Sequence, residues 1–282
     1  MKKVLIIGIN SYIGRSFMRY AQGRLDIKTV SSRNDEWRKA DYTAYDCVLY
    51  AAGIAHQKQI RTNMGMYYTV NRNMAYEAAT MAKAQSTSHF IYLSSMAVYG
   101  LDEGEITSAT LPSPRANDHY GISKYQAENL INPLQSDDMK ITVIRPPMVY
   151  GPNCPGNFPR LVKLAKIMPL LPTLDNKRSM IYIDNLSEFL AIVIEQGISG
   201  TLCPQNAEHV HTAQMMGVIR QATGTRIRRQ PLLNAPILAL IPVTPPLKKA
   251  FGSLYYSFET PETPARNAYQ VVRFEESVER SL

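Results

Sequence analysis

Continuous runs of apolar residues alternate, along the first half of the chain, with stretches whose apolar positions recur at helical spacing. Short apolar runs ended by glycine, serine or proline are typical of strands covered on both faces. They predict strands at 4–7, 47–52, 90–93 and 141–144, with a shorter strand at 27–30. The stretches between them predict helices at 13–23, 67–85 and 119–130. This alternation indicates an α/β fold with a doubly wound parallel sheet.

The pattern changes after Gly151, where prolines become dense around a predicted helix at 158–167. A segment of this kind fits a cap on the carboxyl edge of the sheet, where open α/β sheets bind ligands. The sequence therefore predicts one domain over 1–150 and a small C-terminal substrate-binding cap over 151–282. Within the cap, a strand at 180–183 and a helix at 186–194 are expected to return to the sheet, so that about 178–200 rejoins it. The tail beyond Pro231 is expected to be irregular up to a last helix at 275–281.

Composition indicates a soluble globular protein, with 45% hydrophobic and 19% charged residues over 282 residues. The remaining apolar stretches are too short or too interrupted by proline to cross a bilayer, so no membrane span is predicted. Three cysteines without CxxC spacing suit a reducing compartment, and we expect a cytoplasmic protein. The only close histidine pair, His209 and His211, lies on a polar stretch, and no metal site is predicted.

The net charge of +8 is compatible with nucleic acid or with a small polyanion such as a nucleotide diphosphate. The basic residues are dispersed and form only short clusters, such as Arg226, Arg228 and Arg229. Charge alone therefore does not predict a nucleic-acid partner.

A turn with two glycines, Gly8 to Gly14, joins the first predicted strand to the first predicted helix. Glycines let the backbone approach a pyrophosphate, and the N-terminus of the helix offers free N–H groups and a positive dipole. Ser11 takes the middle small position, so the motif is degraded, and a chance turn is the alternative. Its place after a buried strand favours dinucleotide binding. The predicted contacts are Gly8, Ser11, Tyr12, Ile13 and Gly14.

The second strand ends in Ser31-Ser32-Arg33, where an acidic residue would bind the ribose hydroxyls of NAD. Small polar residues followed by Arg33 suit a ribose 2′-phosphate, so NADP is favoured over NAD. Asp35 is the alternative acid, and a solvated surface position is the alternative for Arg33.

Tyr120 and Lys124 are spaced to lie on one face of a helix, one turn apart. An ammonium near a phenol stabilises the phenolate and lowers the pKa of the tyrosine. Two hydroxyls, Ser94 and Ser95, follow a predicted buried strand. Among 17 tyrosines one such pairing is expected by chance, and a chance spacing is therefore the alternative. The two serines at the end of a buried strand favour proton transfer at the edge of the sheet.

Motifs in this order resemble the extended short-chain dehydrogenase/reductases, the nucleotide-sugar epimerase/dehydratase family. The resemblance covers about residues 1–200. It rests on Gly8-x-x-Ser11-x-x-Gly14, Ser94 to Gly100, Tyr120-x-x-x-Lys124, Arg145 to Pro152 and Arg178 to Asn185.

This resemblance implies an NAD(P)-binding Rossmann domain over 1–150, with Tyr120 as the acid/base, Lys124 as its pKa modulator and ribose ligand, and Ser95 bonded to the sugar oxygen. Further cofactor contacts are implied at Asp41, Tyr42, Ala51, Ala52, Gly53, Asn71 and Pro146. Substrate contacts are implied at Ser95, Met96, Met148, Asn157, Phe158 and Arg178, where Arg178 grips the diphosphate. For Asn71, Asp41 and Phe158 ordinary capping or packing stays open.

The implied chemistry is hydride transfer at the sugar C4 while Tyr120 moves a proton on the attached oxygen. Met96-Ala97 stands where family dehydratases carry an Asp-Glu pair, which argues against dehydration. Short length, Arg33 and Met148 favour a 4-ketoreductase of a UDP-sugar in surface-polysaccharide biosynthesis. A UDP-sugar 4-epimerase is the alternative, and a silent dinucleotide-binding regulator is the alternative from another class. The resemblance also implies a homodimer.

Overall fold

The computed structural model describes residues 1–55, 62–258 and 264–282. The strands within these ranges are Lys3–Ile7 (β1), Asp26–Val30 (β2), Cys47–Tyr50 (β3), His89–Leu93 (β4), Gly104–Ile106 (β5), Lys140–Ile144 (β6), Met148–Tyr150 (β7), Met180–Tyr182 (β8), Gly200–Leu202 (β9) and Leu254–Tyr256 (β10). The α-helices are Tyr12–Tyr20 (α1), Glu36–Lys39 (α2), Met64–Tyr67 (α3), Met74–Ala84 (α4), His119–Ile131 (α5), Asn157–Ile167 (α6), Ile183–Gln196 (α7), Thr212–Ala222 (α8), Asn234–Leu240 (α9), Pro245–Phe251 (α10) and Phe274–Arg280 (α11).

The central sheet of the described chain has six parallel strands in the order β2-β1-β3-β4-β6-β9. The strand order reverses between β1 and β3, and ligands of open α/β sheets bind at such a point, beyond the carboxyl ends of the strands. Strands β3 and β4 are buried along their whole length because helices cover both faces of the sheet. The predicted doubly wound parallel sheet is thereby confirmed.

Each face of the sheet has its own hydrophobic core. Helices α1 and α7 cover one face through residues such as Phe17, Leu186 and Phe189. Helix α4 covers the other face with alanines at 75, 78, 79 and 82, whose small side chains allow close contact between helix and sheet. A third core fills the cap, where α6, α8 and α11 pack together.

The return of the chain from the cap differs from the prediction. The strand predicted at 180–183 is β8, which pairs with β7 in a separate sheet. It is β9 that joins the central sheet, beside β6. Pro146 and Pro147 have no backbone N–H to continue the hydrogen-bonded ladder, so the chain leaves the sheet after β6 and forms β7 as a partner for β8. Helix α7 does return to the central sheet.

Two other regions depart from their predicted structure. The helix predicted at 67–85 is divided, because a π-helical turn over Tyr68–Asn73 separates α3 from α4. The tail predicted to be irregular contains α9, α10 and β10, and the predicted last helix is α11. None of the helices in the described ranges has the length and apolar character needed to span a membrane.

Candidate active site

The glycine turn brings the end of β1 against the end of β3. Gly8 has a φ of +123°, and its N–H donates to the carbonyl of Val30 at 2.9 Å. A Cβ atom at Gly8 would lie 2.7 Å from the backbone nitrogen of Ala52, so only glycine fits without a shift of the backbone. Ser11 caps α1, with its Oγ accepting from the Gly14 N–H at 3.2 Å. The turn thus leaves a cradle at the N-terminus of a helix, which fits a pyrophosphate.

The end of β2 lies beside this turn, since the Ile9 N–H also donates to the Val30 carbonyl, at 3.2 Å. Arg33 is exposed there, and its backbone N–H donates to Ser31 Oγ at 3.1 Å. The alternative acid, Asp35, forms an ion pair with Arg38 at 2.6 Å. The Asp35 carboxylate is therefore paired with Arg38, whereas the Arg33 side chain is exposed to solvent.

The predicted adenine contacts have structural roles in this region. Asp41 accepts from the Thr43 N–H at 3.0 Å and so caps a 3-10 turn. Tyr42 is fully buried in the core, and its phenol donates to the Trp37 carbonyl at 3.0 Å. The Tyr42 side chain therefore presents no surface to a ligand, which is a correction to the prediction, whereas Asp41 stays a predicted contact.

The structure brings the predicted catalytic residues together beyond the carboxyl ends of β4 and β6. Ser95 follows β4 and hydrogen-bonds to the half-buried phenol of Tyr120 on the first turn of α5. Lys124 is buried one turn later, where its ammonium donates to the Leu93 carbonyl at 2.7 Å and lies 4.7 Å from the centre of the Tyr92 ring. A Cβ atom at Gly53 would lie 3.4 Å from Lys124 Nζ, so the end of β3 adjoins the same site.

The pKa shifts correct one expectation about the tyrosine. Burial raises the pKa of the Tyr120 phenol, and its hydrogen bond with Ser95 opposes that shift. Burial also lowers the pKa of Lys124 to about 7, against the attraction of the Glu128 carboxylate. Lys124 therefore carries only part of a positive charge near neutral pH, and it does not produce the predicted lowering of the tyrosine pKa. Ser95 is the group that acts in that direction.

Asn71 connects the segment that follows β3 with helix α5 through hydrogen bonds. It is fully buried in the π-helical turn and exchanges hydrogen bonds with the backbone of Ile54, accepting from N–H at 2.8 Å and donating to C=O at 3.2 Å. Its amide also donates to Ser123 Oγ at 3.1 Å, and Ser123 in turn donates to the Tyr120 carbonyl at 2.9 Å. Asn71 thereby fixes the Gly53 end of β3 relative to Tyr120.

A buried ionic network beneath these residues was missed by the sequence reasoning. Glu128 accepts three contacts from the Arg145 guanidinium at 2.5 to 3.2 Å and one from the Ser94 hydroxyl. Arg145 also donates to the Tyr99 phenol at 2.9 Å. The spacing of residues 120, 124 and 128 on one helix face is the signal that points to Glu128. Ser94 is thus a structural partner, while Ser95 faces the site.

The predicted substrate side lies along the loop after β6. The Met96 N–H donates to the Pro146 carbonyl at 3.0 Å, which joins the loops after β4 and β6. Met148 on β7 pairs with Met180 on β8. Arg178 lies two residues before Met180 and is therefore close to the loop that follows β6. The half-buried Arg178 donates to the Gly252 carbonyl at 2.8 Å, and burial lowers its pKa, against the attraction of Asp102 and Glu103.

Asn157 and Phe158 begin α6 in the cap. Asn157 is exposed. Phe158 is buried and stacks on Tyr150, with ring centroids 5.4 Å apart. The Phe158 side chain therefore has a packing role, which was the alternative to the implied substrate contact. This corrects the implied role of Phe158 in substrate binding.

A cavity of about 360 Å³ lies outside the predicted site, beyond β9. Tyr99, Arg145, Cys203 and Tyr256 line part of it, and none of the predicted catalytic, cofactor or substrate residues does. Across the described ranges, no group of three or more His, Cys, Asp or Glu side chains is arranged to bind a metal ion.

Comparison with known proteins places this arrangement in a family. The model of the family described as "NAD dependent epimerase/dehydratase family" matches residues 4–202. A UDP-glucose 4-epimerase from Vibrio cholerae is 30% identical over 244 residues, which cover 76% of this chain and 74% of that protein. An N-acetyl-alpha-D-glucosaminyl-diphospho-ditrans,octacis-undecaprenol 4-epimerase from Escherichia coli O157:H7 is 25% identical over 218 residues, or 70% of this chain and 64% of that protein.

A solved structure has the same fold over nearly the whole chain. It is a UDP-glucuronic acid 4-epimerase from Bacillus cereus in complex with UDP-glucuronic acid and NAD, with a TM-score of 0.73 and 17% identity. The match covers 99% of this chain and 97% of that one.

The parallel sheet, the glycine cradle and the grouped phenol, amine and hydroxyl define an enzyme that uses a nicotinamide dinucleotide. The chain belongs to the NAD dependent epimerase/dehydratase family. It is an NAD(P)-dependent nucleotide-sugar enzyme of the extended short-chain dehydrogenase/reductase type, as its motifs predict.

Proposed function

We propose that the protein is a 4-epimerase of a UDP-linked hexose or N-acetylated hexose. The observation that carries this proposal is the 30% identity with a UDP-glucose 4-epimerase over 76% of the chain. The sequence alone favours a 4-ketoreductase, and both reactions use the same residues. When bound, the nicotinamide supplies a hydride acceptor and donor for the sugar carbon.

In this proposal Tyr120 transfers the proton on the C4 oxygen, and Ser95 holds that oxygen. The support is that the two groups lie close together beyond the end of β4, since the Ser95 side chain interacts with the Tyr120 phenol and lowers its pKa. In the oxidation half of the epimerisation, deprotonated Tyr120 would accept the proton of the C4 hydroxyl, and in the reduction half it would return that proton to the C4 oxygen. Ser95 lowers the pKa of Tyr120 and so favours the phenolate that accepts, whereas burial raises this pKa and favours the phenol that donates. Lys124 binds the ribose and, with a pKa of about 7, exchanges protons readily near neutral pH.

The cofactor is proposed to lie along the carboxyl ends of β1, β3 and β4. The cradle at Gly8 and the N-terminus of α1 would hold the pyrophosphate, and Pro146 would meet the nicotinamide. Exposed Arg33 at the end of β2 supports binding of a 2′-phosphate, so NADP is proposed ahead of NAD. On the substrate side, Arg178 would bind the diphosphate, with Met96, Met148 and Asn157 beside the sugar.

A 4-ketoreductase is the second candidate, and Arg33 is the observation that favours it. A reductase releases its oxidised cofactor after each turnover, whereas an epimerase retains it. The first experiment is therefore to denature the purified protein and identify the nucleotide released. Tightly held dinucleotide, together with conversion of UDP-glucose or UDP-N-acetylglucosamine to the C4 epimer without added cofactor, supports the epimerase. An empty site and NADPH-dependent consumption of a 4-keto sugar nucleotide would replace it with the reductase.

Tyr120→Phe tests the catalytic assignment. We expect turnover to fall by at least a hundredfold while cofactor affinity stays within a fewfold, because only the proton path is lost. Tyr125→Phe makes the same change one turn further along α5 and serves as the control. A Tyr120→Phe enzyme with a rate close to the wild type would contradict the assignment. Absence of turnover in the wild type itself would leave the silent regulator as the better description.

We also propose that the chain divides into the cofactor-binding domain 1–150 and the cap 151–282. The separate hydrophobic core of the cap supports this division. We propose a homodimer and a cytoplasmic location. Sedimentation of the purified protein and fractionation of the producing cells test these two points.

A further inference from the structure

The positive charge of the protein is concentrated in two segments of the cap. Residues 151–174 and 209–258 together carry nine Lys and Arg and no Asp or Glu, so the rest of the chain has a net charge of −1 against the total of +8. Charge asymmetry of this degree produces a directed field that attracts anionic partners.

The two segments meet on one surface. Leu171 donates its N–H to the Arg228 carbonyl at 2.8 Å and accepts from the Gln230 N–H at 2.9 Å. The Asn234 side chain bonds to Thr173, accepting from its N–H and donating to its hydroxyl, both at 2.9 Å. The loop that follows α6 and the segment that leads into α9 are thereby held side by side. We call the exposed residues of 160–167 and 226–243 the basic apolar face.

Large apolar side chains on this face point into solvent. Leu232 is 79% exposed and Val243 is 74% exposed, and Ile167, Ile227 and Leu240 are also exposed. On the other side of the same segment, Ile237 and Ile241 pack into the core of the cap. The segment is therefore amphipathic, and most of its outer apolar side chains follow the three arginines at 226, 228 and 229.

The basic side chains of the face have no acidic partner among the residues that the structure describes. In the part of the chain that the structure describes, Lys163, Lys166, Arg226, Arg228 and Arg229 form no salt bridge. Beneath them Arg220 is 4% exposed and donates to the Met168 carbonyl, while its Nε and Nη1 donors have no hydrogen-bond partner among the described residues. Within the described ranges, the positive charges of these five side chains are thus not paired with carboxylates.

We infer that the basic apolar face docks on an anionic phospholipid membrane. Arginines and lysines attract lipid phosphates, while exposed leucine, isoleucine and valine side chains enter the boundary between headgroups and acyl chains. A nucleic acid would match the charge and leave the apolar side chains in water. A second copy of the face would match the apolar side chains but oppose like charges.

Docking in this way would place the sugar site near the bilayer, a step that rests on the proposed function. Helix α6 runs from Asn157, beside the proposed sugar position, to Ile167 on the face. Its length is about 15 Å at 1.5 Å per residue. The UDP-sugar of the proposed function would therefore be bound about 15 Å from the docked face.

The test is cosedimentation of the full chain with vesicles of phosphatidylcholine alone and of phosphatidylcholine mixed with phosphatidylglycerol. We expect binding only to the mixed vesicles, and weaker binding at high salt. Arg226→Gln with Arg228→Gln should weaken binding by about twenty-five-fold, at roughly fivefold per basic residue. Leu232→Ser with Val243→Ser should weaken it by a similar factor without changing its salt dependence.

The matched controls make the same changes elsewhere on the surface. Lys28→Gln with Lys83→Gln removes two exposed charges, and Leu111→Ser removes a leucine that is 81% exposed. These variants should bind vesicles as the wild type does, and the thermal midpoint of every variant shows that it is folded. The inference would be overturned if the protein did not bind the mixed vesicles, or if the control variants lost as much binding as the face variants. It would also be overturned if the protein bound DNA but not vesicles, or if the face variants converted a dimer into monomers. Vesicle binding needs no turnover, so its failure is separate from failure of the proposed function.

Discussion

The buried pair of Glu128 and Arg145 makes a sharp stability prediction through the change Glu128→Gln. This substitution keeps the shape of the side chain and its ability to accept from Ser94, but it removes the negative charge. Glu128 is 1% exposed, and its carboxylate is the partner of a guanidinium that is itself buried. The variant therefore leaves Arg145 as an uncompensated cation in a low-dielectric interior.

Breaking a buried pair by removing one partner costs about 3–5 kcal/mol, and we expect a loss of this size in the free energy of unfolding. Adding Arg145→Met removes the stranded charge. The double variant should therefore be more stable than the sum of the two single losses by about 0.5–3 kcal/mol. Glu77→Gln is the matched control, because Glu77 pairs with Arg38 at the surface, where such pairs contribute about 0–1 kcal/mol.

Urea unfolding followed by fluorescence measures these differences, since the single tryptophan, Trp37, is fully buried in the core on one face of the sheet. A Glu128→Gln loss below about 1 kcal/mol, equal to that of the surface control, would refute the idea that the pair is electrostatically coupled. Strict additivity of the two single changes would refute it equally.

Three further predictions concern single residues. Because burial lowers the pKa of Lys124 to about 7, against about 10.4 in the unfolded chain, the unfolded state binds the extra proton between these values. The free-energy cost of burying the Lys124 ammonium is thus complete below pH 7 and decreases as the pH rises. The stability of the wild type relative to Lys124→Met should therefore increase from pH 7 towards about 10. A difference that stays constant with pH would count against this pKa. Arg178→Ala should raise the KM for the sugar nucleotide about thirtyfold, from loss of a charge-assisted contact of about 2 kcal/mol, with exposed Lys177→Ala as the control; an unchanged KM places the diphosphate elsewhere. Gly8→Ala should weaken dinucleotide binding at least tenfold in a titration followed by calorimetry, because its Cβ would meet the backbone of Ala52, whereas Gly23→Ala, which also has a positive φ but open space around it, should leave binding intact.

The sheet and the positions of the proposed catalytic residues follow from local signals in the sequence. Runs such as Val4 to Ile7 are buried on both faces, so their apolar character is continuous and visible without tertiary information. Parallel strands end at a common edge, and residues that directly follow them, such as Gly8 and Ser95, are brought together by topology alone. Tyr120 and Lys124 lie on the same helix, and their spacing determines their relative position.

The cap was harder to predict because its elements are short and depend on distant partners. Strands β5 and β10 have three residues each and pair across about half of the chain, so neither shows a periodic pattern of its own. Arg145 and Glu128 are 17 residues apart on different elements, and only the folded chain shows that they are partners. Tyr42 and Phe158 have polar or aromatic surroundings in the sequence, and their burial is decided by packing.

Arg145 connects the two ends of the molecule through its backbone as well as its side chain. Its carbonyl accepts from the phenol of Tyr256 on β10 at 2.8 Å, while its guanidinium holds α5 through Glu128. The C-terminal strand β10 and the helix that carries Tyr120 are therefore anchored to the same residue. A substitution at Arg145 is expected to loosen both attachments at once, although they lie in different parts of the chain.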